Sequence, residues 1–166
     1  MILHLDNKEK TFHRPANPGD AGYDLNANGD PVIVGKKGPS GLYSSIDYIE
    51  YDTNVKISPE NNEIYTFLFP RSSISEHNLM LANGVGVIDS GYRNSIKARF
   101  KYIIQPSDIV MRNKKIYVKI NKNKIYKNGD KIAQLLFAYH VHPQIVPIEG
   151  LDRSVRGFAG FGSSGA

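Results

Sequence analysis

A chain of 166 residues is the size of one domain and can bury roughly 68–70% of its unfolded surface, so it needs no covalent staple. It has no Cys, which excludes disulfides, thiol catalysis and Cys-ligated zinc. Its net charge of +5 is uneven: between Arg112 and Lys131 stand eight Lys or Arg against one acid, Asp130. Such a run reads first as a solvated hairpin face and second as a contact for phosphates.

The opening MILHLDNKEK carries Asp6, Lys8, Glu9 and Lys10 and has no apolar core of signal-peptide length. No apolar run approaches the roughly 20 residues that span a bilayer. The expected location is therefore the cytoplasm, or the interior of a host cell if the source is viral. Asn28-Gly29 marks a first turn. Ile64 to Phe69 is short, aromatic and β-branched and stops at Pro70, as a strand does. The spacing predicts one short helix over Ser72–Asn78, with Ser as its cap and Glu76 in its first turn. Asn83-Gly84 and Asn128-Gly129 repeat the turn signal. Ile116, Val118 and Ile120 alternate with Tyr117 and Lys119, as on a half-buried strand. Ile132 to Val141 reads as a strand launched from Asn128-Gly129. The period of two dominates, so the fold class is all-β, a sandwich or barrel with one short helix.

The end, GFAGFGSSGA, is too glycine-rich for a core strand. It reads either as a frayed tail or as an arm that folds over a ligand, with Gly admitting phosphates and Phe stacking on a ring. The expected organisation is a β core over 1–150 and an arm over 151–166.

Five segments share Gly, an acid or amide, Ser and Arg: AGYDL (21–25), PRSS (70–73), NGVGVIDSGYR (83–93), GDKIAQL (129–135) and RGFAGFGSS (156–164). Singly, each has a structural excuse; Asp89-Ser90-Gly91 is ordinary turn chemistry. Jointly they supply what polyphosphate hydrolysis requires. One carboxylate holds a metal, another polarises water, and cations, hydroxyls and amides grip phosphate oxygens.

In this order and combination the motifs resemble those of the trimeric dUTPase family, from about residue 21 to 165. The resemblance implies a jelly-roll-like β fold and a homotrimer with shared active sites. It also implies Mg²⁺-dependent hydrolysis of dUTP to dUMP and pyrophosphate, which limits uracil incorporation into DNA. Asp24 then reaches the Mg²⁺ through water. Arg71, Ser72 and Ser73 grip phosphates, and Gln134 contacts the phosphate tail. Asn83 reads uracil with the backbone of Val87 and Ile88, so cytosine would leave buried polar groups unpaired. Tyr92 packs on deoxyribose and excludes a 2′-hydroxyl. Phe161 stacks over uracil from the arm, where Arg156, Ser163 and Ser164 meet phosphates. Lys97 faces the same pocket if the register is kept. Asp89 matches the water-activating base.

Gly91, Asn94-Ser95 and Ala159 depart from the family pattern, and stretches around 35–48 and 106–127 are longer than usual. A dCTP deaminase is similar in fold, but such relatives carry a glutamate downstream of the matching Asp, where this chain reads Ile96-Lys97-Ala98-Arg99. A different alternative is a nucleotide-gated binding module, in which the 112–131 cluster contacts nucleic acid or a regulatory protein. His140 and His142 form an H-x-H pair without further zinc ligands in sequence nearby.

Overall fold

The computed structural model describes residues 2–8, 10–155 and 157–158. Its strands are β1 (Leu3–Asp6), β2 (Phe12–His13), β3 (Tyr23–Asn26), β4 (Val32–Lys37), β5 (Tyr43–Asp52), β6 (Lys56–Pro59) and β7 (Ile64–Pro70). There follow β8 (Leu79–Leu81), β9 (Gly86–Ile88), β10 (Lys97–Tyr102), β11 (Ile109–Arg112), β12 (Lys115–Val118) and β13 (Lys131–Tyr139). A five-stranded sheet runs β2-β3-β13-β7-β9. A six-stranded sheet runs β11-β12-β5-β10-β8, with β4 also paired to β5, and β1 pairs with β6. Every pairing is antiparallel. This is a jelly-roll-like all-β fold, and no described helix is long and apolar enough to cross a membrane.

Alternation fills the core. β10 buries Ala98, Phe100 and Tyr102 and exposes Lys97, Arg99 and Lys101. β7 buries Ile64, Thr66 and Leu68 and keeps Tyr65, Phe67 and Phe69 half-buried on its outer face. Residues of both large sheets meet in one cluster that includes Leu25, Leu68, Phe100 and Leu135. Tyr51 meets Phe100 and Tyr126 edge-to-face at 5.7 and 6.0 Å, and its Oη donates to Tyr126 O at 3.1 Å. Burial pushes the Tyr51 phenol above its ordinary value. Each such ring contributes about 1.5–3 kcal/mol by leaving water.

Four local expectations change. The short helix expected over Ser72–Asn78 is a 3-10 helix over Ser72–Glu76, with Arg71 instead of Ser at the cap position and no side-chain capping bond. Glu76 closes that turn instead of opening it. The Asn-Gly pairs do not close hairpins: each carries the chain from one large sheet to the other, between β3 and β4, β8 and β9, and before β13. β13 pairs with β3 and β7, so its start is fixed by distant strands, and it ends at Tyr139 before the two histidines. Finally, Ile116 is exposed while Val118 and Ile120 are buried, because β12 projects past the edge of the core.

Candidate active site

β8 ends in the six-stranded sheet, and the Asn83-Gly84 turn delivers the chain to β9 beside β7. Gly84 has φ +68°, a left-handed conformation in which glycine carries no steric penalty. At Gly86 a Cβ would stand 3.0 Å from Leu68 Cβ and 3.4 Å from Asn83 Nδ2. Glycine therefore lets β9 close on β7 while the Asn83 amide keeps its place. Between this turn and the start of β10 lies a cavity of about 470 Å³. Asn83, Val87, Ile88, Asp89, Tyr92 and Lys97 line it, over Leu68 and Ile96. That volume suits a small molecule.

Tyr92 N donates to Asp89 O at 3.0 Å, closing a turn over Ser90 and Gly91. Tyr92 Oη donates to Ser95 O at 2.9 Å, which holds the ring at the cavity rim. Asp89 is exposed, and among the described residues its carboxylate has no ion-pair partner. At the far wall Lys97 Nζ donates to Glu50 Oε1 at 2.9 Å and Arg99 Nε to Glu50 Oε2 at 2.7 Å. The Lys97 hydrogen bond, with help from Arg99, holds the Glu50 carboxyl below its ordinary range despite burial. Asp52 accepts from Ser95 Oγ, so the departure at Ser95 is tied into β5. A Cβ at Gly91 would meet nothing within 4 Å, so an acid there is not excluded by space.

A second cluster lies on the other side of the same sheet's order. Asp24 on β3 takes Arg71 Nε on Oδ1 at 2.8 Å and Lys131 Nζ on Oδ2 at 2.9 Å. Gln134 stands opposite Asp24 in register and donates to Pro70 O at 3.4 Å. Gly22 leaves room for the Gln134 amide: a Cβ there would fall 2.3 Å from Gln134 Oε1, so a larger residue would make that side chain move. Ser72 and Ser73 open the adjoining 3-10 turn, and His77 Nδ1 lies 3.1 Å from Ser73 O. Behind the turn the His77 ring tilts against Tyr126 at 4.1 Å. Burial raises the Tyr126 phenol, while the Ser73 hydroxyl and the Arg71 charge pull it back.

Asp24 is the only described carboxylate in this cluster with cations on both oxygens, and no group of three His, Asp or Glu that could hold a metal exists among the described residues. Such a donor set does not suit zinc. With both oxygens paired to cations, Asp24 could meet Mg²⁺ only through the ion's retained waters, as suits an ion that uses one or two carboxylates together with substrate phosphates. His140 and His142 meet edge-to-face, ring centroids 4.0 Å apart, beyond the end of β13.

The structure brings Asn83, Val87, Ile88, Asp89, Tyr92 and Lys97 together, and separately gathers Asp24, Arg71, Ser72, Ser73 and Gln134. Asp24 lies opposite Gln134 and so level with Phe69, whereas Ile88 lies level with Thr66. Three strand spacings and about four residues of strand length put Asp24 and Asp89 roughly 20 Å apart over the sheet. Arg156, Phe161, Ser163 and Ser164, and the departure at Ala159, lie outside the described residues. Sequence reasoning missed Lys131, Glu50 and Tyr126. Lys131 directly precedes the IAQL run, and its reach to Asp24 was the one signal that strand pairing could have supplied.

A family model described as dUTPase matches residues 8–165. The deoxyuridine 5'-triphosphate nucleotidohydrolase of Desulfitobacterium hafniense (strain Y51) is 32% identical over 154 residues, spanning 90% of this chain and 84% of the relative. The probable deoxyuridine 5'-triphosphate nucleotidohydrolase of Schizosaccharomyces pombe is 32% identical over 162 residues, spanning 96% of this chain and 94% of its own. Among solved structures, the dUTPase of Staphylococcus bacteriophage 80alpha with dUPNHPP aligns over 99% of both chains at 23% identity and a TM-score of 0.70. A mutant dUTPase from phage phi11 of S. aureus, described for its coordination of a structural Mg(II) ion, aligns over 90% of this chain and 98% of its own, at 21% identity and a TM-score of 0.60.

Proposed function

The chain belongs to the dUTPase family and is a dUTP-hydrolysing enzyme, and from that premise we propose that it is a Mg²⁺-dependent homotrimer whose sites are shared between subunits. The observation that carries the reading is the division of the chemistry into two half-sites. One has Asn83, Asp89 and Tyr92 around a cavity, and the other has Asp24, Arg71, Ser72, Ser73 and Gln134. A triphosphate gripped by one half cannot also reach across some 20 Å of sheet to the other, so a complete site takes residues of two copies.

In the assembled site Asn83 and the backbone of Val87 and Ile88 pair with uracil, and Tyr92 covers the sugar. Arg71, Ser72, Ser73 and Gln134 hold the phosphates, joined by Arg156, Ser163 and Ser164 of the arm, while Phe161 closes over the base. Asp24 would hold Mg²⁺, and the ion would supply charge neutralisation on the phosphate oxygens. Asp89, which has no ion-pair partner among the described residues, takes a proton from water as the water oxygen bonds to the α-phosphorus. The bond from that phosphorus to the bridging oxygen breaks, pyrophosphate leaves, and dUMP remains. Ordering the reactants on fixed side chains supplies much of the remaining acceleration. Exposed apolar surface supports association of copies: Val87 and Tyr139 at the five-stranded sheet, and Val141, Ile145 and Leu151 along the segment that leaves it.

Pyrophosphate release measured on dUTP, dCTP, dTTP and UTP, with and without Mg²⁺, tests the reading. Turnover confined to dUTP and dependent on the ion is expected. Comparable turnover of UTP, or no loss on removing the ion, would reject the specificity or the cofactor.

A further inference from the structure

The two stretches that are longer than usual, around 35–48 and 106–127, fold onto each other. Tyr43 of β5 stands opposite Val118 of β12. The Tyr117 ring fills the space a side chain at Gly38 would need, 2.6 Å from its Cβ position. Arg112 Nη1 donates to Ser40 Oγ at 3.4 Å. The product is a two-stranded ribbon, β11–β12, projecting from the edge of the six-stranded sheet.

Its charge is one-sided. Lys36, Lys37, Arg112, Lys114, Lys115, Lys119, Lys122, Lys124 and Lys127 are all exposed. No Asp or Glu occurs from 31 to 46 or from 109 to 129. The neighbouring acid, Asp108, is buried and accepts from Tyr102 Oη at 2.8 Å and Gln105 N at 2.9 Å, so its charge is turned inward. Arg112 and Lys115 stand directly opposite one another, a like-charge pairing that destabilises an isolated ribbon. The other face of the ribbon is apolar and open: Ile109, Met111 and Ile116 are 52%, 73% and 64% exposed.

We infer that the β11–β12 ribbon and its lysine flank bind duplex DNA without sequence preference. A two-stranded ribbon fits a DNA groove. Phosphates neutralise the opposed cations and release counterions. Exposed Ile and Met are the side chains that architectural proteins press against base steps. The abundance of lysine favours phosphate over protein as the partner, because lysine is depleted from protein–protein interfaces and suits repeated phosphate contacts. The surface is separate from the nucleotide cavity, whose lining includes none of these residues.

Fluorescence anisotropy of the full chain with a labelled mixed-sequence duplex, at 50 to 200 mM salt, tests this. Affinity should fall steeply with salt, and the double variant Lys114→Ala/Lys115→Ala should weaken binding about tenfold or more and flatten the logarithmic salt slope by about one per cation removed. Met111→Ser/Ile116→Ser should weaken binding with the slope unchanged. Unchanged dUTP turnover in the same preparations establishes that the variants fold. Absence of binding at 50 mM salt, binding indifferent to the lysine pair, or equal affinity for polyglutamate of matched charge would each overturn the assignment.

Discussion

Asp89 is a turn residue, and the proposed function also makes it the water-activating carboxylate; the two roles use different atoms. Its backbone carbonyl accepts from Tyr92 N at 3.0 Å, which shapes the turn, while the residue lines the cavity and its carboxylate is left out of that bond. Asp89→Asn therefore preserves the turn and the volume and removes only the proton acceptor. kcat should fall by about 10²–10⁴-fold, with KM for dUTP little changed, in steady-state pyrophosphate assays. Parent-like kcat in the Asn variant would remove Asp89 from the role of base. The residues of this cavity were legible in the sequence because they sit within one short run, from Asn83 to Lys97, where turn chemistry and period two fix their neighbours. Lys131 and Glu50 were not legible. Lys131 meets Asp24 only through the pairing of β13 with β3, and Glu50 meets Lys97 from 47 positions away.

Strand content was legible from alternation, as in β7 and β10, but connectivity was not. An Asn-Gly pair states that the backbone reverses and accepts a left-handed residue; it does not state which sheet receives the next strand. All three pairs here change sheets. The tight hairpin is instead made by Asn113 and Lys114, with φ of 48° and 61°, between β11 and β12. Lysine in that conformation places Cβ against the backbone and costs about 1–2 kcal/mol. Glycine removes this cost and adds about 0.5–1 kcal/mol of unfolded-state entropy, so Lys114→Gly should stabilise by several tenths of a kcal/mol to about 1 kcal/mol. Calorimetry should register a rise in Tm of roughly 2–4 °C at the upper end of that range. A fall in Tm would show that the lysine side chain contributes more than its backbone strain removes. The short helix expected over Ser72–Asn78 forms as the five-residue 3-10 helix Ser72–Glu76, and it stops early because Leu79 already begins β8.

At the scale of the whole molecule, the jelly roll separates what the motifs join. In sequence, AGYDL and GVID belong to one constellation; in the sheet order β2-β3-β13-β7-β9 they occupy strands separated by two others. In the proposed trimer, association of copies reunites them, and the exposed apolar residues of the segment after β13 are available for it. Subunit complementation asks this directly. Asp24→Asn and Asp89→Asn chains, each inactive alone, are mixed in equal amounts, unfolded together, refolded, and assayed for dUTP hydrolysis. If a site draws Asp24 and Asp89 from different subunits, random assembly restores complete sites and about a quarter of the parent activity. No recovery above the separately refolded variants would place both carboxylates in one subunit's site and contradict the account.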